Sequence, residues 1–126
     1  MTKIAVVYHS GYGHTAAQAE AVARGAKKVA GAEVTLLNSD EAQNQWDLLK
    51  AADAIIFGSP TYMGSASAQF KAFMDASSKA WYTRDWQDKV AAGFTTSASQ
   101  SGDKLSTLMQ LTIFAAQHGM IWVGQD

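Results

Sequence analysis

Ser10-Gly11-Tyr12-Gly13-His14-Thr15 sets two glycines and two hydroxyls between an apolar run, Ile4-Ala5-Val6-Val7-Tyr8, and an alanine-rich stretch with helical spacing, Thr15 to Ala30. A strand followed by a helix with this connection leaves unpaired backbone N–H groups at the positive end of a helix dipole. Such a place suits an anion, most often a phosphate. The six residues contain no lysine and do not form G-x-G-x-x-G, so neither common nucleotide fingerprint is present. A single terminal phosphate held by N–H groups and by the hydroxyls of Ser10 and Thr15 fits better. The same residues also read as a plain N-capped helix after a glycine turn.

Two further small-residue segments carry chemistry. Gly58-Ser59-Pro60-Thr61-Tyr62-Met63-Gly64-Ser65 follows the apolar run Asp53–Phe57 and offers a rigid proline, an aromatic and glycine-freed backbone. A flat heterocycle could stack on Tyr62 there; the bland reading is a tight turn with a surface tyrosine. Thr96-Ser97-Ala98-Ser99-Gln100-Ser101-Gly102 could bond the polar edge of a ring or a polyol chain, or simply connect to the next helix.

The elements that must position these segments alternate regularly. Strands are expected at Lys3–Tyr8, Glu33–Leu37, Asp53–Phe57, Lys89–Thr95 and Met120–Val123, with Gly58-Ser59-Pro60 breaking the third. Helices are expected at Thr15–Ala30, Asn44–Ala52, Ser67–Lys79 and Asp103–His118. Trp81–Trp86 reads as a polar, aromatic connection. Strands alternating with helices imply a doubly wound α/β fold with parallel pairing through right-handed crossovers. Ligands of such sheets sit outside the carboxyl ends of the strands. All three small-residue segments follow strands, so all three fall on that one edge.

Composition narrows the rest. The 126 residues suit one domain, and 48% hydrophobic against 17% charged residues makes it globular. A net charge of −1, with Lys27-Lys28 as the only adjacent basic pair, argues against nucleic-acid binding. No cysteine is present, which excludes disulfides and a thiol nucleophile. His9, His14 and His118 lack zinc-site spacing. No apolar run spans a bilayer and the first strand leaves no room for a signal peptide, so a cytoplasmic location is expected.

The segments "YHSGYGHT", "DAIIFGSPTYMGSASAQFKAFMD", "KAW", "KVAAGFTTSASQSG" and "QHGM" resemble the tryptophan-repressor-binding-protein family of NAD(P)H:quinone oxidoreductases, within the flavodoxin-like fold. Electron-carrier flavodoxins look less similar, with a T-x-T-G-x-T loop and a more acidic composition. The resemblance implies a five-stranded parallel sheet of order 2-1-3-4-5, flavin mononucleotide (FMN) as cofactor, NADH or NADPH as electron donor and a quinone as acceptor. It implies that Ser10, Gly11, Tyr12, Gly13, His14 and Thr15 hold the phosphate. Pro60, Thr61, Tyr62, Met63 and Gly64 would border the ring. Thr96, Ser97, Ala98, Ser99, Gln100 and Ser101 would contact ring and ribityl chain. His118 would lie at the ring's pyrimidine end, Trp81 would wall the substrate space, and Tyr12 would lie near the nicotinamide nucleotide.

The sequence departs from the family in three places. The link from Leu37 to Asp53 is short, the third segment has Ala98, Gln100 and Ser101 where relatives favour glycine, and the chain stops at Asp126 without a fifth helix. The expectation is a C-terminally incomplete domain whose third to fifth strands lack cover on one face, and a homo-oligomer, dimer or tetramer.

Overall fold

In the computed structural model, which describes residues 1–125, β1 (Thr2–Tyr8) lies between β2 (Ala32–Asn38) and β3 (Ala54–Tyr62). Beyond β3 follow β5 (Val90–Thr96) and β6 (Ile121–Trp122), giving the order β2-β1-β3-β5-β6 with every one of these pairings parallel. This is the expected flavodoxin-like order. A two-residue strand, β4 (Ser65–Ala66), pairs antiparallel with the end of β3. The helices are α1 (His14–Lys27), α2 (Ser39–Ala42), α3 (Trp46–Ala51), α4 (Ala68–Ala76), α5 (Ser78–Tyr82) and α6 (Lys104–Gln117). None of the described helices is long and apolar enough to cross a membrane.

Val6 and Val7 are both fully buried, so the centre of the sheet is covered on both faces, as parallel sheets require. The two faces are packed with different materials. On the α4 and α6 side, Phe57, Phe70, Phe73, Trp86 and Phe114 form one aromatic cluster with Val7, Ile55 and Leu111. On the α1 side, Ala19 and Ala23 let the helix lie close to Val6 and Phe94. Gly58 belongs to this second packing. A Cβ there would meet the Phe94 ring at 2.1 Å, so the ring lies flat across β3 only because that residue has no side chain.

The third strand does not break at Gly58-Ser59-Pro60 but continues to Tyr62. The Gly58 carbonyl accepts from His9 N–H (3.1 Å), so its backbone faces β1. Two residues on, Pro60 points the same way, where β1 has already ended and no N–H is needed. On its other edge Pro60 still pairs in register with Thr96. The expected single helix Ser67–Lys79 is two, because Ser77 turns its hydroxyl back onto the Met74 carbonyl (2.6 Å) between α4 and α5. Trp81 and Tyr82 thus end a helix rather than sit in a connection. The short α2 was not expected from the sequence.

On the α1 face, the amino ends of β5 and β6 carry exposed apolar side chains. Val90 lies four residues before Phe94 on the α1 face and is paired in register with Ile121. Val90, Ile121 and Val123 are 39%, 55% and 49% exposed. Among the described residues no helix follows β6 to cover them.

Candidate functional site

The carboxyl ends of β1, β3 and β5 surround a cavity of about 450 Å³, within the usual range of cofactor pockets. Its lining brings together Gly11, Tyr12, His14 and Thr15 from the first connection, Pro60, Thr61 and Tyr62 from β3, and Thr96, Ser97 and Ala98 from β5 and the segment after it. Three stretches separated by some forty residues each therefore meet as the topology required.

The start of α1 is open. Gly13 is its N-cap residue, at φ 93°, and no side chain caps the helix. The first-turn amides of His14, Thr15 and Ala16 have no intrahelical acceptor, and they point towards the carboxyl edge. Ser10 Oγ accepts from Gly13 N–H (3.0 Å), which curls the loop back on itself. Thr15 Oγ1 meets Thr96 Oγ1 at 2.7 Å, so the first and third segments are joined by a hydroxyl pair beneath the cavity. Each hydroxyl keeps unused hydrogen-bonding capacity. An added Cβ at Gly11 would stand 2.2 Å from Tyr62 Oη, so a side chain there would push the Tyr62 ring aside. Ser10 and Gly13 line a neighbouring cavity, towards β2, with Tyr8, His9 and Asp40.

Tyr12 and Tyr62 stand edge to face with ring centroids 6.2 Å apart, and Tyr12 is 83% exposed. Met63 and Gly64 form the two-residue turn between β3 and β4, at φ 50° and 76°. Positive φ at both positions is the turn whose twist matches a hairpin, and it leaves Met63 fully in solvent. Beneath it Thr61 is buried, its Oγ1 bonded to Thr95 Oγ1 (2.6 Å) and Thr107 Oγ1 (2.9 Å). Sequence reasoning missed Gln110. Its Oε1 accepts from Ala66 N–H (3.0 Å) and its Nε2 donates to Ser65 Oγ (2.9 Å), so α6 carries the hairpin. No local signal marks that role, because its partners lie about 45 residues away. Ser99, Gln100 and Ser101 belong to the same connection but do not line the cavity.

His118 and Trp81 are not brought to this cavity. α6 runs from the carboxyl edge back to the amino edge, and β6 begins opposite Val90, the first residue of β5. His118, the C-cap of α6, is therefore at the other end of the sheet. It is 6% exposed and packed at 4.2 Å from the Trp86 ring and 5.0 Å from that of Phe114. Ser77 Oγ gives its one proton to the Met74 carbonyl, so it accepts from His118 Nε2–H at 2.9 Å, which sets the tautomer. Burial pushes the imidazole pKa down to about 4. Trp81 and His118 line a separate cavity of about 470 Å³ with Tyr82, Arg84, Gln87 and Gly119. His9, at the end of β1, bonds through Nδ1 to Ser67 Oγ (2.9 Å), and burial lowers its pKa against the opposing pull of Asp40.

Residues 33–126 match the model of the NADPH-dependent FMN reductase family. The chain is 50% identical over 127 residues to flavodoxin FldP of Pseudomonas aeruginosa, covering 98% of this chain and 66% of that protein. It is 35% identical over 144 residues to an NAD(P)H dehydrogenase (quinone) of Syntrophobacter fumaroxidans, covering 97% and 71%. It thus spans about two thirds of the length of FldP and somewhat more of the second relative. The crystal structure of a flavodoxin, WrbA-like protein from Agrobacterium tumefaciens superimposes with a TM-score of 0.88 at 55% identity, over 98% of this chain and 77% of that one. With this sheet order and these relatives, the chain belongs to the flavodoxin-like, FMN-binding family that includes the NAD(P)H:quinone oxidoreductases.

Proposed function

We propose that the cavity at the carboxyl edge binds FMN and that the chain passes electrons as a flavodoxin-type carrier. The observation that carries this reading is the uncapped start of α1 opening into a cavity walled by two tyrosines. The residues fit the group: first-turn amides and the hydroxyls of Ser10 and Thr15 for the phosphate, and the Tyr12 and Tyr62 rings with Pro60 and Thr61 for a flat ring. Met63 and Gly64 would border the ring from the hairpin tip. Thr96, Ser97 and Ala98 would face the ribityl chain and the polar ring edge, with Ser99, Gln100 and Ser101 behind them.

Bound FMN supplies reversible acceptance of electrons. The chain's own part is to anchor, stack and orient. The amides of His14 to Ala16 hold the phosphate dianion where the α1 dipole favours it. Thr15 and Thr96 tie the phosphate side to the ring side. Backbone N–H groups of the β5–α6 connection would be candidates to stabilise the negative charge that grows on the ring on reduction. An open cavity with Tyr12 and Met63 in solvent leaves the ring accessible to a redox partner. The 50% identity to a flavodoxin, against 35% to a quinone dehydrogenase, supports the carrier reading.

A second reading, NAD(P)H:quinone oxidoreductase, is favoured by the names of several relatives. It needs a substrate wall, and within one chain Trp81 is at the wrong end of the sheet. It therefore requires a homo-oligomer, dimer or tetramer, in which a second copy brings its Trp81 over the cavity. Steady-state oxidation of NADH or NADPH with benzoquinone as acceptor separates the two. A carrier shows little direct turnover yet takes electrons from a separate reductase. Fast turnover by an assembled species, followed by sedimentation, overturns it in favour of the reductase.

A further inference from the structure

Lys104 stands in an unfavourable place for a lysine: the first residue of α6, at the positive end of a helix dipole. A local rule broken at a site edge calls for a compensating contact. The compensation is complete. The ammonium has three protons and three acceptors: Ser97 Oγ (2.7 Å), the Ser99 carbonyl (2.6 Å) and Asp103 Oδ1 (3.3 Å). Having accepted from Lys104, Ser97 Oγ keeps one proton for the Ser99 carbonyl (3.0 Å) or Asp103 Oδ1 (3.1 Å). One cation thus ties residues seven, five and one positions before it into a closed loop. An exposed Lys–Asp pair alone contributes little; what is unusual here is that all three donors are used on one short connection. That connection, Ser97 to Gly102, consists of small residues and one glutamine, none of them in the apolar core, and would otherwise cost about 1–2 kcal/mol per residue to order. Lys104 does not line the cavity, but Ser97 does, next to the Thr15–Thr96 hydroxyl pair.

We propose that Lys104 is a positioning residue that holds the β5–α6 connection in its ligand-ready shape before any cofactor arrives. For the cofactor this rests on the FMN reading above; for the ordering of the loop it does not. Preorganisation of this kind raises affinity by removing the ordering cost from the binding step. Because Lys104 acts on the ring side rather than at the α1 phosphate site, its removal weakens FMN and riboflavin equally. A cation acting on the phosphate would instead weaken FMN alone.

The test uses the full 126-residue chain and its Lys104→Met, Lys104→Arg, Ser97→Ala and double variants. Backbone order parameters for Ser97 to Gly102 are measured without flavin, and the affinities for FMN and riboflavin are then titrated. The expected result is a fall in these order parameters from about 0.85 to below about 0.6 in Lys104→Met. FMN and riboflavin then weaken by one common factor, about tenfold. Lys104→Arg, which keeps a cation with several donors, restores most of the affinity, and in the order parameters Ser97→Ala adds nothing to Lys104→Met because both break one network. Unchanged order parameters, a loss confined to FMN, or additive effects of the two substitutions on the order parameters each overturn the proposal. Failure of the native chain to bind either flavin overturns the FMN reading, while the order parameters still decide the loop.

Discussion

α1 and α4 both begin at the carboxyl edge of the sheet, yet their first turns are finished differently. Ser67, the N-cap of α4, is buried, accepts from Phe70 N–H (3.1 Å) and is itself bonded to His9 and Ser59. That end is capped by its own chain. Gly13, the N-cap of α1, has no side chain and leaves the first-turn amides open beside the cavity. A helix start completed from within strengthens the fold; one left open keeps its donors for a ligand. The same sequence contains both solutions, and the difference lies in which residue stands at the cap and in what surrounds it.

The largest effect expected from this contrast is on flavin choice. If the open amides of α1 hold a phosphate, FMN binds at least about a hundredfold more tightly than riboflavin, since each charge-assisted hydrogen bond contributes about 1.5–3 kcal/mol. Equal affinities in a fluorescence titration would return α1 to the status of an ordinary helix start.

Next in size is the far edge, where His118 is buried and neutral. Its pKa is lowered from 6.5 to about 4, so the unfolded chain takes up the proton first as pH falls. The contribution is complete above pH 6.5 and is lost on descent towards pH 4, at a cost of about 2–3 kcal/mol. Urea unfolding of the native chain and His118→Gln at several pH values reads this directly. A variant with the same pH slope as the native chain would remove His118 as the cause.

Ser67→Ala should cost about 1–2 kcal/mol, because it removes a cap and strands the His9 and Ser59 contacts. The ratio of FMN to riboflavin affinity should stay unchanged. A shift in that ratio would mean that α4, too, reaches the phosphate.

The smallest effect belongs to Trp81→Ala. In the monomeric chain FMN affinity should stay within about a factor of two, since the side chain lies on the opposite edge and surface changes are typically within ±0.5 kcal/mol. If the assembled protein turns over quinone, the same variant should alter those kinetics and little else. Loss of flavin from a folded monomer would place Trp81 in the cofactor shell or in core packing.

Much of this is legible in the sequence. Alternating strands and helices make a parallel sheet, and a parallel sheet puts every strand-to-helix connection on one edge; Gly11, Pro60 and Ser97 meet for that reason. The same rule, applied to the helix ending at His118, already places it on the opposite edge. The expectation of His118 at the cofactor came from the H-G-M resemblance alone and ignored the direction of α6. Packing was legible only as a pattern of apolar residues, so the run through Gly58 and Pro60 read as a break.

The chain's order of elements and its three small-residue connections determined the fold and the edge that carries the site, because local periodicity and crossover handedness depend on nothing outside the sequence. Only the tertiary structure decided how far β3 runs, since a proline is tolerated wherever the neighbouring strand has already ended. It alone decided that Gln110 carries the hairpin and that Lys104 closes the last connection. Those roles depend on side chains meeting across space or across a folded loop, and hydrogen-bond geometry at 2.6 to 3.0 Å leaves no trace in residue spacing.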